Sequence, residues 1–286
     1  MSWASVVAGT MAVLIPGEPV DLGLVLPEKA VIEARLESSE RQDGGDWTTS
    51  TAAYRVEVRP EGELSYRTVW RDLDDPESTG MVILTDEALV PNRVVNLDEV
   101  LDSLSRELGA DGSDKDDVSA MDLMRNLPPE TLTGLLTKNL ILVAYGQGTF
   151  LVPGQRSEYQ QPGGSFGGSG PLMMNASFLL ESVKPDLERA VVIWTNELDP
   201  IEARKALPGL MNDLFGLAGA DEEVTDKMEA LMVDARFVVR TECRYEIDIP
   251  TGLAERVECD AVQDISVAGE SRRKETRLVA TQRLVD

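Results

Sequence analysis

The segment Cys243-Arg244-Tyr245-Glu246-Ile247-Asp248-Ile249-Pro250-Thr251-Gly252-Leu253-Ala254-Glu255-Arg256-Val257-Glu258-Cys259 reads as two β-strands folded back on one another. Pro250 supplies the fixed φ that a type I turn wants, and Gly252 supplies the left-handed residue that must follow it. Together they specify a three-residue hairpin loop with a glycine bulge. Setting Ile249 opposite Leu253 fixes the register. Ile247 then faces Glu255, Tyr245 faces Val257 and Cys243 faces Cys259. Cysteines directly opposite on paired strands lie close enough to bridge. The sequence therefore nominates Cys243 and Cys259 as a disulfide candidate in an oxidising compartment, against two buried free thiols in a reducing one.

Strand patterns extend outward from this hairpin. Residues 235–249, 253–267 and 272–285 form a C-terminal meander. At the other end, residues 30–38 alternate Ile32, Ala34 and Leu36 with Glu33, Arg35 and Glu37. Residues 51–59 and 64–70 alternate likewise, 81–84 adds an apolar run, and Pro60-Glu61-Gly62 reads as a hairpin turn. Period-two alternation marks antiparallel strands with one wet face.

Between the two meanders the period changes. Asn96 and Glu99 read as a capping box before Leu97, Val100, Leu101, Leu104 and Leu108, with Gly109 as terminator. A second helix is predicted over 119–127, and a third begins at Pro128-Pro129. Strands are predicted at 140–145, 149–152 and 187–195. Asp199-Pro200-Ile201-Glu202 starts a helix running toward Leu217, and another spans 222–232. Residues 153–170 are rich in Pro, Gly, Gln and Ser and read as a flexible loop. The fold class expected is α+β: a mainly antiparallel curved sheet built from N- and C-terminal meanders, with a central group of helices packed against it. The domain division is an extended segment at 1–29 and a single domain at 30–286.

Composition narrows the chemistry. The 286 residues carry 27 Lys+Arg against 51 Asp+Glu, a formal charge of −24, with no histidine and two cysteines. Histidine bases, histidine metal ligands and multi-cysteine clusters are thereby excluded. Strong negative charge opposes nucleic acid as a partner, because that binding rests on Lys and Arg displacing counterions. No apolar run reaches the roughly 20 residues of a transmembrane helix. Residues 1–15 carry no charged side chain and support two readings: a targeting remnant, or a buried first segment of the mature chain.

The remaining motifs are weak. Gly163-Gly164-Ser165-Phe166-Gly167 matches a nucleophile-elbow pattern without the strand, helix and histidine that chemistry needs. Gly146-Gln147-Gly148 reads as a tight turn between two strands. Asp111, Asp114, Asp116, Asp117 and Asp122 form an acidic loop lacking calcium-site spacing. Asn175-Ala176-Ser177 is a glycosylation sequon, and Arg272-Arg273-Lys274 reads as a basic hairpin loop. No catalytic residue, cofactor or metal site is assigned. The expectation is a non-enzymatic soluble protein, periplasmic, of the bacterial cell envelope, or secreted, with a cytoplasmic location as the alternative. Its partner is an apolar ligand or an envelope protein. The alternative function is a carrier holding an apolar or lipid ligand between sheet and helices, with Met121, Met124, Met173, Met174, Met211, Met228 and Met232 as candidate lining. A carboxylate-based hydrolase is a third reading.

Overall fold

A computed structural model describes residues 17–75, 79–110, 124–165, 171–199, 236–267 and 270–285. The N-terminal meander comprises β2 (Ala30–Gln42), β3 (Thr48–Pro60), β4 (Ser65–Asp72), β5 (Met81–Asp86) and β6 (Pro91–Val94), after a short β1 (Val20–Leu22). Two helices follow, α1 (Leu97–Ala110) and α2 (Pro129–Ala144). The chain returns to strands in β7 (Thr149–Leu151), β8 (Arg156–Ser165), β9 (Pro171–Lys184), β10 (Arg189–Leu198), β11 (Arg236–Asp248), β12 (Ala254–Val267) and β13 (Glu270–Val285). Eleven of these strands form one antiparallel sheet, ordered β6-β5-β4-β3-β2-β13-β12-β11-β10-β9-β8, while β1 and β7 pair separately. The large sheet is not closed: β6 and β8 are its two edges. The meanders meet where β13 pairs with β2, from Lys274 opposite Gln42 to Val285 opposite Val31.

Alternation sorts the two faces. Ile32, Ala34, Leu36, Val56, Val58, Leu278, Ala280, Val257, Cys259, Cys243, Tyr245, Ile247, Val192 and Trp194 point to one side and are buried there. Leu140 and Val143 of α2, with Val20, Leu22 and Leu151 of the small sheet, cover them and complete one core. Fully burying a Val, Leu or Ile contributes about 1.5–3 kcal/mol, so this face holds the fold together. The other face carries arginine–carboxylate pairs, among them Arg283–Glu33, Arg71–Glu57, Arg244–Glu181 and Arg277–Asp260. Exposed pairs of this kind contribute about 0–1 kcal/mol each and keep that face wet.

The hairpin forms close to the predicted register. Cys243 lies opposite Cys259 and Tyr245 opposite Val257. The cysteines sit at disulfide distance, with Cα atoms 4.1 Å apart, in the buried face. A bulge after Glu246 then moves Ile247 from Glu255 to Ala254. The turn begins one residue early because Asp248 organises it: its carboxylate accepts from the Thr251 N–H at 3.1 Å, and its carbonyl accepts from the Gly252 N–H at 2.8 Å. Gly252 has φ +68°, and a Cβ there would lie 2.3 Å from the Gly23 carbonyl oxygen. It thus serves the turn and the close passage of the N-terminal segment.

Several expectations are corrected. A central group of helices is not found: among the described residues there are only two helices of more than a single 3-10 turn, and the sheet dominates. Residues 140–144 continue α2, with Tyr145 as its C-cap, rather than forming a strand, because the apolar run Leu140–Ala144 extends the helical face begun at Leu132. The segment expected as a flexible loop carries β8, whose Arg156–Pro162 backbone pairs with β9 despite its Gln- and Gly-rich composition. Gly163-Gly164-Ser165 ends that strand, and Phe166 and Gly167 lie outside the described residues. Arg272-Arg273-Lys274 lies within β13, with Arg273 paired to Glu275 and Lys274 to Glu40. Asn96 does not cap α1 reciprocally. Its amide donates to the Gly80 carbonyl at 2.9 Å and to Glu99 at 3.2 Å, and its oxygen accepts from the Val82 N–H at 2.9 Å. The helices predicted from Asp199 to Leu217 and over 222–232, most of 119–127, the acidic cluster and residues 1–16 lie outside the described residues.

Candidate functional site

Helix α2 is fastened at both ends. Near its start, the Thr133 hydroxyl accepts from the Val94 N–H at 3.3 Å, tying the helix to β6. At its exit, the buried Gln147 donates to the Ala88 carbonyl at 3.1 Å and accepts from the Ala254 N–H at 3.0 Å. Tyr245 donates its hydroxyl to the Leu142 carbonyl at 2.7 Å, and its burial pushes the phenol well above the usual tyrosine range. Gly146 presents bare backbone to the Tyr245 ring: a Cβ there would lie 2.3 Å from Cγ. The Gly-Gln-Gly turn therefore joins a helix to a strand, and its composition is set by this contact.

Between its fastened ends, α2 leaves a cleft of about 290 Å³ against the inner face of the sheet. Leu36, Tyr54, Trp70 and Met81 form the sheet wall, and Leu135, Leu136 and Leu140 form the helix wall. Tyr54 and Trp70 meet edge to face with centroids 5.6 Å apart, and the indole N–H donates to the Thr68 hydroxyl at 3.1 Å. Burial, aided by the charge of Asp72, raises the Tyr54 phenol above its usual range. Leu135 is 57% exposed at the mouth. Ser38, Glu40, Lys138, Asn139 and Thr276 form the rim. Lys274 holds Glu40 through a 2.7 Å ion pair, and that hydrogen bond keeps the Glu40 carboxyl below the usual range, with Lys138 adding a smaller pull.

Behind Trp70 and Leu140 is a separate void of about 20 Å³, edged by Thr68, Thr85, Gln147 and Gln282. It has room for about one water. On the charged face, a concavity of about 570 Å³ spans β8 to β11. Its polar groups largely satisfy one another: Arg156 donates to Ser177 at 3.0 Å, Ser177 and Thr195 share a 2.7 Å hydrogen bond, and Gln160 donates to Asn175 at 3.2 Å. The sequon residue Asn175 lies in this ladder on β9.

Of the methionines nominated from sequence, the three that are described do not line the cleft. Met124 packs beside Leu101 and Leu132, Met174 is buried in β9, and Met173 is half-buried there. Met121, Met211, Met228 and Met232 lie outside the described residues. Met81 is the methionine that reaches the cleft, and its short apolar run gave no sign of it. Among the described residues, two convergent acids are not present there, since Glu40 is the one carboxylate in that lining and is ion-paired. Among the described residues, no cluster of three or more His, Cys, Asp or Glu could hold a metal ion. None of their helices is long and apolar enough to cross a membrane.

No known protein family matches the chain, and no curated protein does so either. Among solved structures it is similar to lipovitellin, in a structure describing lipid–protein interactions in that protein, with 10% identity and a TM-score of 0.44. The match covers 90% of this chain and 25% of the lipovitellin chain, so this chain spans about a quarter of that one. A likeness of this degree says nothing about what the chain binds.

Proposed function

We propose that the protein is a non-enzymatic carrier that holds the apolar part of a lipid-like ligand between the inner face of the sheet and α2, in the cell envelope or secreted. One observation carries the reading: a cleft walled by Leu36, Tyr54, Trp70 and Met81 on one side and by Leu135, Leu136 and Leu140 on the other. Its volume of about 290 Å³ lies at the lower end of ligand pockets. By the measure that gives the void of about 20 Å³ room for one water, it is large enough for a chain of roughly ten carbons. Burying about nine methylenes at ~0.8 kcal/mol each gives roughly 7 kcal/mol before the cost of association. Binding is thus expected to be reversible, as a carrier requires. Support for a location outside the reducing cytoplasm comes from the cysteines placed opposite one another.

The test is saturable binding of the neutral fluorescent probe N-phenyl-1-naphthylamine by the full chain, compared with Leu135→Glu. Leu135 is exposed enough for the substitution to leave the fold intact. The wild type is expected to bind one equivalent, and Leu135→Glu to lose most of that affinity. No saturable binding by the wild type would refute the proposal, as would binding indifferent to a charge at position 135.

A further inference from the structure

The polar rim of the cleft is unevenly provided. Lys138, one turn beyond Leu135 on α2, is the one cation among the described lining residues. Its ammonium makes no ion pair with a described residue, although the chain carries 51 acidic side chains. The carboxylate near enough to feel it, Glu40, is already held by Lys274 at 2.7 Å. Ser38, Asn139 and Thr276 stand on the same rim, and their side chains make no hydrogen bond to another described residue. Among the described residues, one cation outside any ion pair and three uncommitted hydrogen-bonding groups thus stand at the rim of the cleft. A neutral hydrocarbon would leave all four facing water or idle. An anion placed there gains an ammonium donor and hydroxyl and amide donors together, and charge-assisted hydrogen bonds of this kind are the stronger class.

We infer that the ligand is an amphiphile with a single anionic head, of the fatty-carboxylate class, whose chain of about ten carbons lies against Trp70 and Leu136 and whose carboxylate pairs with Lys138. This rests on the carrier reading above and deepens it. Charge complementarity selects the occupant. A cationic head would meet Lys138 with no free carboxylate to offset it, and a bulky zwitterion would bring a second charge to a rim with one cation to spare. Lys138 is exposed, so its pairing with the head is moderate in strength and sets preference more than affinity.

The experiment is calorimetric titration of the full chain with decanoate and with 1-decanol, each below its self-association limit, for wild type, Lys138→Met and Lys138→Arg. The wild type is expected to prefer decanoate about fivefold after allowance for chain burial, in line with an exposed ion pair of ~1 kcal/mol. Lys138→Met should erase that preference, while Lys138→Arg should keep it. Equal affinity for the acid and the alcohol in the wild type, or a preference that survives Lys138→Met, would overturn the assignment of the head and leave the carrier reading standing. Failure of both compounds to bind would remove both.

Discussion

Replacing Gly146 by alanine offers a sharp test of how α2 is held on the sheet. Gly146 is not in a left-handed conformation, so an alanine there would ordinarily stabilise by about 0.4–1 kcal/mol through the unfolded chain. The structure predicts the opposite sign. The added methyl would lie 2.3 Å from Cγ and 2.5 Å from both Cδ atoms of Tyr245, where ordinary contact needs more than 3.4 Å. The ring must therefore retreat by about 1 Å. It is fully buried and anchored by its 2.7 Å hydrogen bond to the Leu142 carbonyl. Overpacking of this kind costs about 1–3 kcal/mol, and a lost hydrogen bond about 0.5–1.5. Set against the entropic gain, the net loss is about 0.5–4 kcal/mol. Urea unfolding followed by tryptophan fluorescence should show a lower midpoint at unchanged slope. The same substitution made in a Tyr245→Leu background should cost little or become stabilising, since the flat ring is no longer there to strike. An equal loss in both backgrounds, or a Gly146→Ala protein as stable as the wild type, would refute the contact.

Substituting Cys243 and Cys259 by alanine should lower stability under oxidising conditions by about 3 kcal/mol, the chain-entropy value for a closed loop of about 17 residues. Reductant should reproduce that loss in the wild type, and two freely alkylatable thiols in the native protein would show that no bridge forms. Glu33, Glu40 and Glu275 are held below the usual carboxylate range chiefly by hydrogen bonds from Arg283, Lys274 and Arg41. A depressed folded value stabilises the protein above the unfolded value of 4.5, and the contribution is lost as pH falls through the folded value. Glu275→Gln should accordingly flatten the acid limb of a stability profile below about pH 4.5. A profile superimposable on the wild type would remove Glu275 from that account.

The parts of the fold that were readable from sequence are those specified by neighbouring residues. Pro250 and Gly252 fix a turn locally, so the facing of Cys243 by Cys259 could be derived without any tertiary knowledge. The bulge at Glu246 could not, because it depends on the Asp248 side chain entering the turn. The N-terminal strands showed themselves through alternation. Strand β8 did not, since Gln160, Gln161 and Pro162 have no apolar period and pairing with β9 alone makes them extended. The run Leu140–Tyr145 is equally apolar as a strand or as a buried helix turn, and only its continuity with Leu132 and Thr133 settles it. For the cleft, a space between sheet and helices was expected, yet its residues were not legible. Leu36, Trp70 and Thr276 come from both ends of the chain and meet α2 only because β2 pairs with β13.

That pairing also governs when the sheet can be completed during synthesis. Glu33 and Arg283 are 250 residues apart yet bonded across neighbouring strands. At about 5–20 residues per second, β2 waits roughly 10–50 s on the ribosome for its partner. Hairpins form in about 1–10 μs, so β2 to β5 can zip long before then and present a thirteen-residue edge with open N–H and C=O groups. Such an edge recruits any other extended chain within reach, including the same edge on a neighbouring nascent copy. A chain halted before Glu270 would own two half-sheets and lack the strand that joins them edge to edge.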